Sequence, residues 1–242
     1  MWDYYTILLQ MNPQHLTVYQ CPFPKLRIGK EYDGGYIIAE IPDVQYDIFL
    51  AGGISDDISF ESGFLSRFPD VVCFAFDGTI SGLPEPNEDI EFIRKNIGDI
   101  ENDTQTNMHD IIEESEHLFV KMDIEGGEIP WVLSLSDAHL AKMDQIVMEF
   151  HFPFSEREDA VFAKLNSSHV MVHFHANNCC GVRNHHDVVV PNVFECTYVH
   201  KRHFTEAPVL NTDPIPCKLD MRNVIHHEEI SLSHAPFVHA RD

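Results

Sequence analysis

The residues best placed to do chemistry lie where apolar runs give way to polar ones. Leu118-Phe119-Val120 leads straight into Lys121 to Glu128, which reads KMDIEGGE. Further on, Glu149 and His151 alternate with Phe150 and Phe152, and His173, His175 and Asn177 alternate in a third apolar run. Alternate residues of a strand share one face. Lys121 therefore sides with Asp123, Glu149 with His151, and His173 with His175 and Asn177. Open α/β sheets bind ligands beyond the carboxyl ends of their strands, so these three runs bring Asp, Glu, His and Asn to one edge. Two chemistries fit. A neutral imidazole can take the proton of a weakly nucleophilic hydroxyl, an effect of about 10²–10⁴-fold. His151 is the first candidate base, with His175 second and Asp123 beside them. Alternatively, Asp123, Glu149 and His151 hold a divalent cation, Mn²⁺ or Mg²⁺, that orients and acidifies a hydroxyl. With 16 His in the chain, most are ordinary: His185-His186 and His226-His227 read as exposed loop or tail residues. Glu125 and Glu128 read equally well as caps of the following helix, and Trp131 as helix packing.

These groups need a sheet to hold them. Tyr46 to Ala51 is a short strand ending at Gly52-Gly53, followed by a helix opened by Ser55-Asp56-Asp57 with Ile58, Phe60, Phe64, Leu65 and Phe68 at helical spacing. Val71 to Phe76 is a second strand, ending at Asp77. Glu91 to Ile97 suggests a third, and Met108, Ile111 and Ile112 a short helix. Phe119 to Ile124 is the fourth strand, and Pro130 opens a helix. Gln145 to Phe152 is the fifth strand. Ser155 and Glu158 form a capping box for a helix through Leu165. His169 to His175 and Val193 to Val199 are the last two strands, with a polar, turn-like interval between them. Alternating strands and helices imply a mostly parallel α/β sheet, and the final pair an antiparallel hairpin. The expected fold is a Rossmann-like, seven-stranded sheet in a single domain over 1–242: a lead-in at 1–44, a core at 45–204 and a wrapping tail at 205–242.

A nucleoside cofactor needs a close-approach turn after the first strand and a carboxylate for the ribose after the second. Gly52-Gly53 supplies the turn, and Asp77 follows Gly53 by about 24 residues. There is no GxGxxG. Asp56 and Asp57 would repel a pyrophosphate but tolerate a zwitterion and a sulfonium, which favours S-adenosylmethionine over NAD.

Lys121 to Glu128 resembles the KxDxEGxE signature of FkbM-type methyltransferases. Ala51 to Glu61, AGGISDDISFE, is similar to the GxGxDxSFE first motif of a related methyltransferase-like branch, with Ser55 where a glycine is common. Arg27-Ile28-Gly29 with Asp33-Gly34-Gly35-Tyr36 resembles that branch's RxG…DGGY segment, and Val193 to Val199 its closing strand. The resemblance covers most of residues 27–204. It implies a class I, S-adenosylmethionine-dependent fold with Gly35, Tyr36, Gly52, Gly53, Ser55, Asp77 and Asp123 on the cofactor side. It also implies methylation of a hydroxyl on a sugar, glycan or similar small acceptor.

The bulk properties narrow the rest. The net charge of −23 opposes phosphate backbones, so no nucleic-acid partner is expected. The run His200-Lys201-Arg202-His203 reads as a solvated strand end. No apolar run reaches the roughly 18 residues of a membrane span, and Met1, Trp2, Asp3 and Tyr4 lack the basic start of a secretory signal. Six cysteines without a CxxC, and with Cys179-Cys180 a poor disulfide pair, fit a reducing, cytoplasmic setting. Two other functions fit less well: a protein or nucleic-acid methyltransferase, and an inactive cofactor-binding interaction protein. The sequence sets no oligomeric state.

Overall fold

In the computed structural model residues 11–241 are described; Met1, Trp2, Asp3 and Tyr4, read above for a signal, lie outside the described residues. In chain order the elements begin with β1 (Lys25–Gly29), β2 (Gly35–Ala39), β3 (Ile48–Gly52), α1 (Ser59–Arg67), β4 (Val72–Phe76) and β5 (Ile90–Ile93). Next come β6 (Asn96–Ile97), β7 (Gln105–Thr106), α2 (His109–Glu114), β8 (Leu118–Met122), α3 (Glu128–Ser134), α4 (Asp137–Leu140) and β9 (Met143–His151). The last are α5 (Glu156–Ser168), β10 (His169–Ala176), β11 (Val182–His185), β12 (Val188–Pro191) and β13 (Val193–His200).

Seven strands form one sheet in the order β5-β4-β3-β8-β9-β13-β10. Only β13 runs antiparallel to its neighbours, β9 and β10. This is the expected seven-stranded, mostly parallel, Rossmann-like sheet with its antiparallel pair at the C-terminal end. The chain leaves β3 toward one edge through β4 and β5, then returns to β8 and proceeds toward the other. The order therefore switches between β3 and β8, where a crevice opens.

β3, β8 and β9 are buried almost throughout, as strands covered on both faces must be. Leu50, Val120, Met122 and Met148 pack with Trp131 and Phe162 on the side of α2 to α5. Phe49, Ala51, Phe119 and Val147 pack with Phe60 and Phe64 of α1 on the other. There the Phe64 and Phe119 rings lie 4.2 Å apart.

Several elements depart from expectation. The third strand ends early: Ile90–Ile93 joins the sheet, whereas Asn96–Ile97 pairs with β7. The helix after β3 starts at Ser59, because Asp57 Oδ1 accepts the Ser59 N–H (3.0 Å) and Ser55 is left-handed (φ 51°). The lead-in contains the antiparallel pair β1-β2. It is held to the sheet by side chains: Ala39 N–H donates to Gln145 Oε1 (2.6 Å), and Thr197 Oγ1 donates to Ile37 O (2.5 Å). The polar interval after β10 folds into the β11-β12 hairpin, where His185 is buried rather than exposed and bonds Met11 O at 2.7 Å. Cys179 and Cys180, expected to be a poor disulfide pair, are joined. Lys201 and Arg202 are exposed, as a solvated strand end would be, but Arg202 and His203 also pair with the buried Asp144. The tail buries Ile215, Leu232 and Phe237, the last with its ring tilted against Phe174 at 4.7 Å between centroids. Among the described residues no helix is long and apolar enough to cross a membrane.

Candidate functional site

The crevice is built from backbone. Gly53 has φ +78°, and a Cβ there would lie 1.6 Å from Asp123 O; only glycine lets the β3 and β8 turns meet. Asp123 N–H donates to Gly52 O and Gly53 N–H to Phe76 O, both at 3.1 Å. These bonds tie the ends of β3, β4 and β8 together. Beneath the turn, Lys121 Nζ donates to Gly53 O (2.9 Å) and lies 3.7 Å from the buried Glu61. The crevice encloses about 320 Å³ and is lined by Gly53, Ser55, Asp77, Thr79, Asn96 and Asp123, among others. A second cleft of about 190 Å³ shares Gly53, Ser55 and Asp123, and continues to Asp33, Tyr36 and Asp57.

Asp77 stands at the end of β4, as expected, and fastens both loops. Oδ2 accepts the N–H groups of Ile54 (3.1 Å) and Ser55 (2.9 Å); Oδ1 accepts the Thr79 N–H (2.7 Å) and hydroxyl (2.6 Å). Burial raises its pKa, but these bonds outweigh burial and leave it below the usual carboxylate range. Gly35, expected on the cofactor side, lines neither cleft; it packs under the Arg27 guanidinium. Tyr36 does reach the site: its hydroxyl donates to Asp123 Oδ2 at 2.7 Å.

The acidic loop is braced by Glu128, which accepts the N–H groups of Ile124 (2.7 Å) and Gly126 (2.8 Å). That leaves Glu125 exposed and left-handed (φ 56°) above the crevice. His151 Nε2 lies 3.5 Å from both Glu125 and Glu149, and its Nδ1 is buried without a partner. Ligating atoms of Asp123, Glu125 and His151 lie within 4.8 Å of one another. The expected cation set therefore changes: Glu125 takes the place of Glu149. Glu149 instead accepts from Asn177 Nδ2 (3.0 Å). Burial, reinforced by the charges of Asp123 and Glu195, holds its pKa well above the carboxylate range.

His175 is unsuited to the base role. Only 2% exposed, it lies 3.3 Å from Glu195 and 3.5 Å from Glu229. Burial disfavours its charge, but the two carboxylates prevail and raise its pKa to about 11. It is an imidazolium at neutral pH and cannot accept a proton.

Sequence reasoning missed Glu61, Glu195, Asn223 and Glu229. Glu195 carried a signal, a lone acid inside the apolar run VFECTYV. Asn223 carried none; the tail has no periodicity, yet Asn223 Nδ2 reaches Glu195 (2.8 Å) and Asp33 (3.2 Å).

No family model matches the chain, and no curated protein does. Among solved structures, the precorrin-6y C5,15-methyltransferase from Geobacter metallireducens superposes with a TM-score of 0.39 at 11% identity, covering 66% of this chain and 82% of that one. TrmN from Thermus thermophilus superposes with a TM-score of 0.34 at 13% identity, covering 65% of this chain and 45% of that one. These likenesses are distant, and the fold assignment rests on strand order and direction.

Proposed function

We propose that this chain is an S-adenosylmethionine-dependent methyltransferase that methylates a hydroxyl of a sugar, glycan or similar small acceptor. One observation carries the reading: the glycine turn of β3 and the carboxylate of Asp77 frame a crevice at the switch point, beside His151. When bound, the cofactor supplies an electrophilic methyl on a sulfonium. The residues fit it. The crevice floor at Gly53 is bare backbone, and the acids around it tolerate a cation better than a pyrophosphate. Asp77 has about four acceptor positions, and protein donors meet all of them. A ribose hydroxyl would take the place of the Thr79 hydroxyl. Tyr36 orients Asp123, and Lys121 holds the Gly53 carbonyl away from the crevice.

On the acceptor side His151 would take the hydroxyl proton, with the exposed carboxylate of Glu125, 3.5 Å away, stabilising the imidazolium. Holding acceptor and donor in line can supply a larger share, up to about 7–11 kcal/mol. A second reading places Mn²⁺ or Mg²⁺ on Asp123, Glu125 and His151, whose ligating atoms lie within 4.8 Å. It would orient two hydroxyls of the acceptor. The FkbM-type motifs support the hydroxyl acceptor, and the net charge of −23 favours a neutral one over a nucleic acid.

Thermal shift tests the cofactor. S-adenosylmethionine and its demethylated product should both raise Tm, by about 2.7 kcal/mol of stabilisation at a hundredfold excess over Kd, whereas NAD should not. No shift with folded protein at millimolar cofactor sinks the reading. Transfer of labelled methyl to a panel of hydroxylated acceptors then separates an enzyme from a binding protein. Loss of turnover on chelation would decide for the cation.

A further inference from the structure

A second cluster of donors lies away from the crevice, where the tail crosses β10. His173 is 4% exposed, on the strand face it shares with His175. The tail brings Cys217 and Asp220 to it, and one ligating atom from each of the three lies within 4.8 Å of the others. The Asp220 carboxylate is 1% exposed, with Oδ1 2.9 Å from His173 Nε2. Yet that nitrogen is buried and makes no hydrogen bond of acceptable alignment. A buried imidazole nitrogen close to a carboxylate and a thiol, with no aligned hydrogen bond to either, is an arrangement a cation would complete.

The turn supports the same reading. Cys217 and Asp220 are three residues apart. Cys217 N–H donates to Asp220 Oδ2 (2.6 Å), fixing the carboxylate, and Leu219 N–H donates to Cys217 Sγ (3.4 Å). That donor favours the thiolate, the form that ligates a metal, but burial and the Asp220 charge outweigh it and raise the thiol's pKa, so a cation is needed to displace the proton. A cleft of about 220 Å³ opens on His173 and Cys217 and reaches Cys21. It offers an entry path and room for a water as fourth ligand.

We propose that His173, Cys217 and Asp220 form a zinc site that staples the tail to β10. Imidazole, thiolate and carboxylate together suit Zn²⁺, with ligand distances near 2.0–2.3 Å, better than Mg²⁺ or Ca²⁺, which take oxygen. Binding displaces the thiol proton of Cys217 to solvent. Two groups oppose the ion: Lys25 Nζ stands 3.5 Å from His173 Nδ1, and the positive charge of His175, two residues along β10, acts on both His173 and Asp220. Lysine only donates, so Lys25 must swing into the cleft when Nδ1 carries the ring proton. The site does not depend on the proposed methyl transfer.

The test uses the full chain, reduced and stripped of metal, with Zn²⁺ or Co²⁺ alone as probe. About one equivalent of zinc should be retained after desalting, in accord with a single tetrahedral site. Zinc should raise Tm and protect Cys217 from iodoacetamide. Co²⁺ should give a thiolate charge-transfer band that Cys217→Ser removes and that His151→Ala and the Cys179→Ser/Cys180→Ser double variant keep. Lys25→Met should tighten zinc by about tenfold, since it removes a nearby positive charge. Absence of the band and of Cys217 protection in the wild-type protein overturns the proposal, leaving an ion-pair staple only. A band that persists in Cys217→Ser overturns it equally. Because alkylation protection is read on the wild-type chain, the test stands even if a variant fails to fold.

Discussion

Strand β9 carries two buried acids at opposite ends, and their surroundings are opposites. Asp144, at the amino end, is fully buried and meets three basic side chains: Arg202 (2.5 Å), His203 (2.5 Å) and His117 (2.8 Å). Burial alone would raise its pKa; the bonds from His203, Arg202 and His117 outweigh burial and lower it. Glu149, at the carboxyl end, is 3% exposed, has one neutral donor in Asn177, and faces the acids Asp123 and Glu195. A compensated buried acid holds a structure together. An uncompensated one is an electrostatic liability that persists where it serves a site. The two ends of one strand thus separate stability from chemistry.

The largest effect should come at the uncompensated end. If His151 is the base, His151→Ala lowers kcat by roughly 10²–10⁴ while Tm and cofactor affinity stay near wild type. A loss below about tenfold assigns the reaction to positioning alone.

Next comes the compensated end. Asp144→Ala should cost about 3 kcal/mol, the low end for a broken buried pair because Arg202 keeps access to water. Tm should fall by roughly 6–12 °C for a chain of this size, with turnover of the folded fraction intact. An unchanged Tm would erase the contrast between the two ends.

A smaller effect appears in the pH dependence of stability. Asp144 has a lowered folded pKa, so its contribution is present above the ordinary aspartate pKa and is lost as pH falls through the folded value. His175 has a folded pKa raised from 6.5 to about 11. Its contribution is complete below 6.5 and is lost as pH rises toward 11. In urea titrations the gap between wild type and His175→Gln should be widest near pH 6 and close on the alkaline side. A gap constant from pH 6 to 10 would mean that His175 is not held charged.

The smallest effect is expected at Glu149. Glu149→Gln keeps an acceptor for Asn177 and removes a titratable group held toward its neutral form. Stability should change by less than about 0.5 kcal/mol near pH 5. Because the raised pKa makes Glu149 a growing burden as pH rises, the variant should gain on wild type toward pH 8. A loss comparable to that of Asp144→Ala would show Glu149 to be a structural ion after all.

Much of this molecule was legible in the chain. Apolar runs bounded by glycine or acid marked β3, β4, β8 and β9. Ser155 and Glu158 form the expected capping box. Asp77 and Asp123 stand at the strand ends where alternation and spacing put them. These features are local, set by side-chain period and backbone sterics within a few residues. What the tertiary structure alone decided is which charges meet. Arg202 and His203 looked like a solvated basic run until the sheet order brought β13 beside β9 and Asp144. His175 looked like a base until Glu195 and Glu229 closed on it. Glu125 rather than Glu149 joins Asp123 and His151, because Asn177 holds Glu149 and the left-handed turn lifts Glu125. Asn223 and Asp220 reach β10 and β13 from a tail with no periodicity. Protonation state depends on burial and on partners distant in sequence, so the elements can be read along the chain, while the electrostatics of the site had to await the fold.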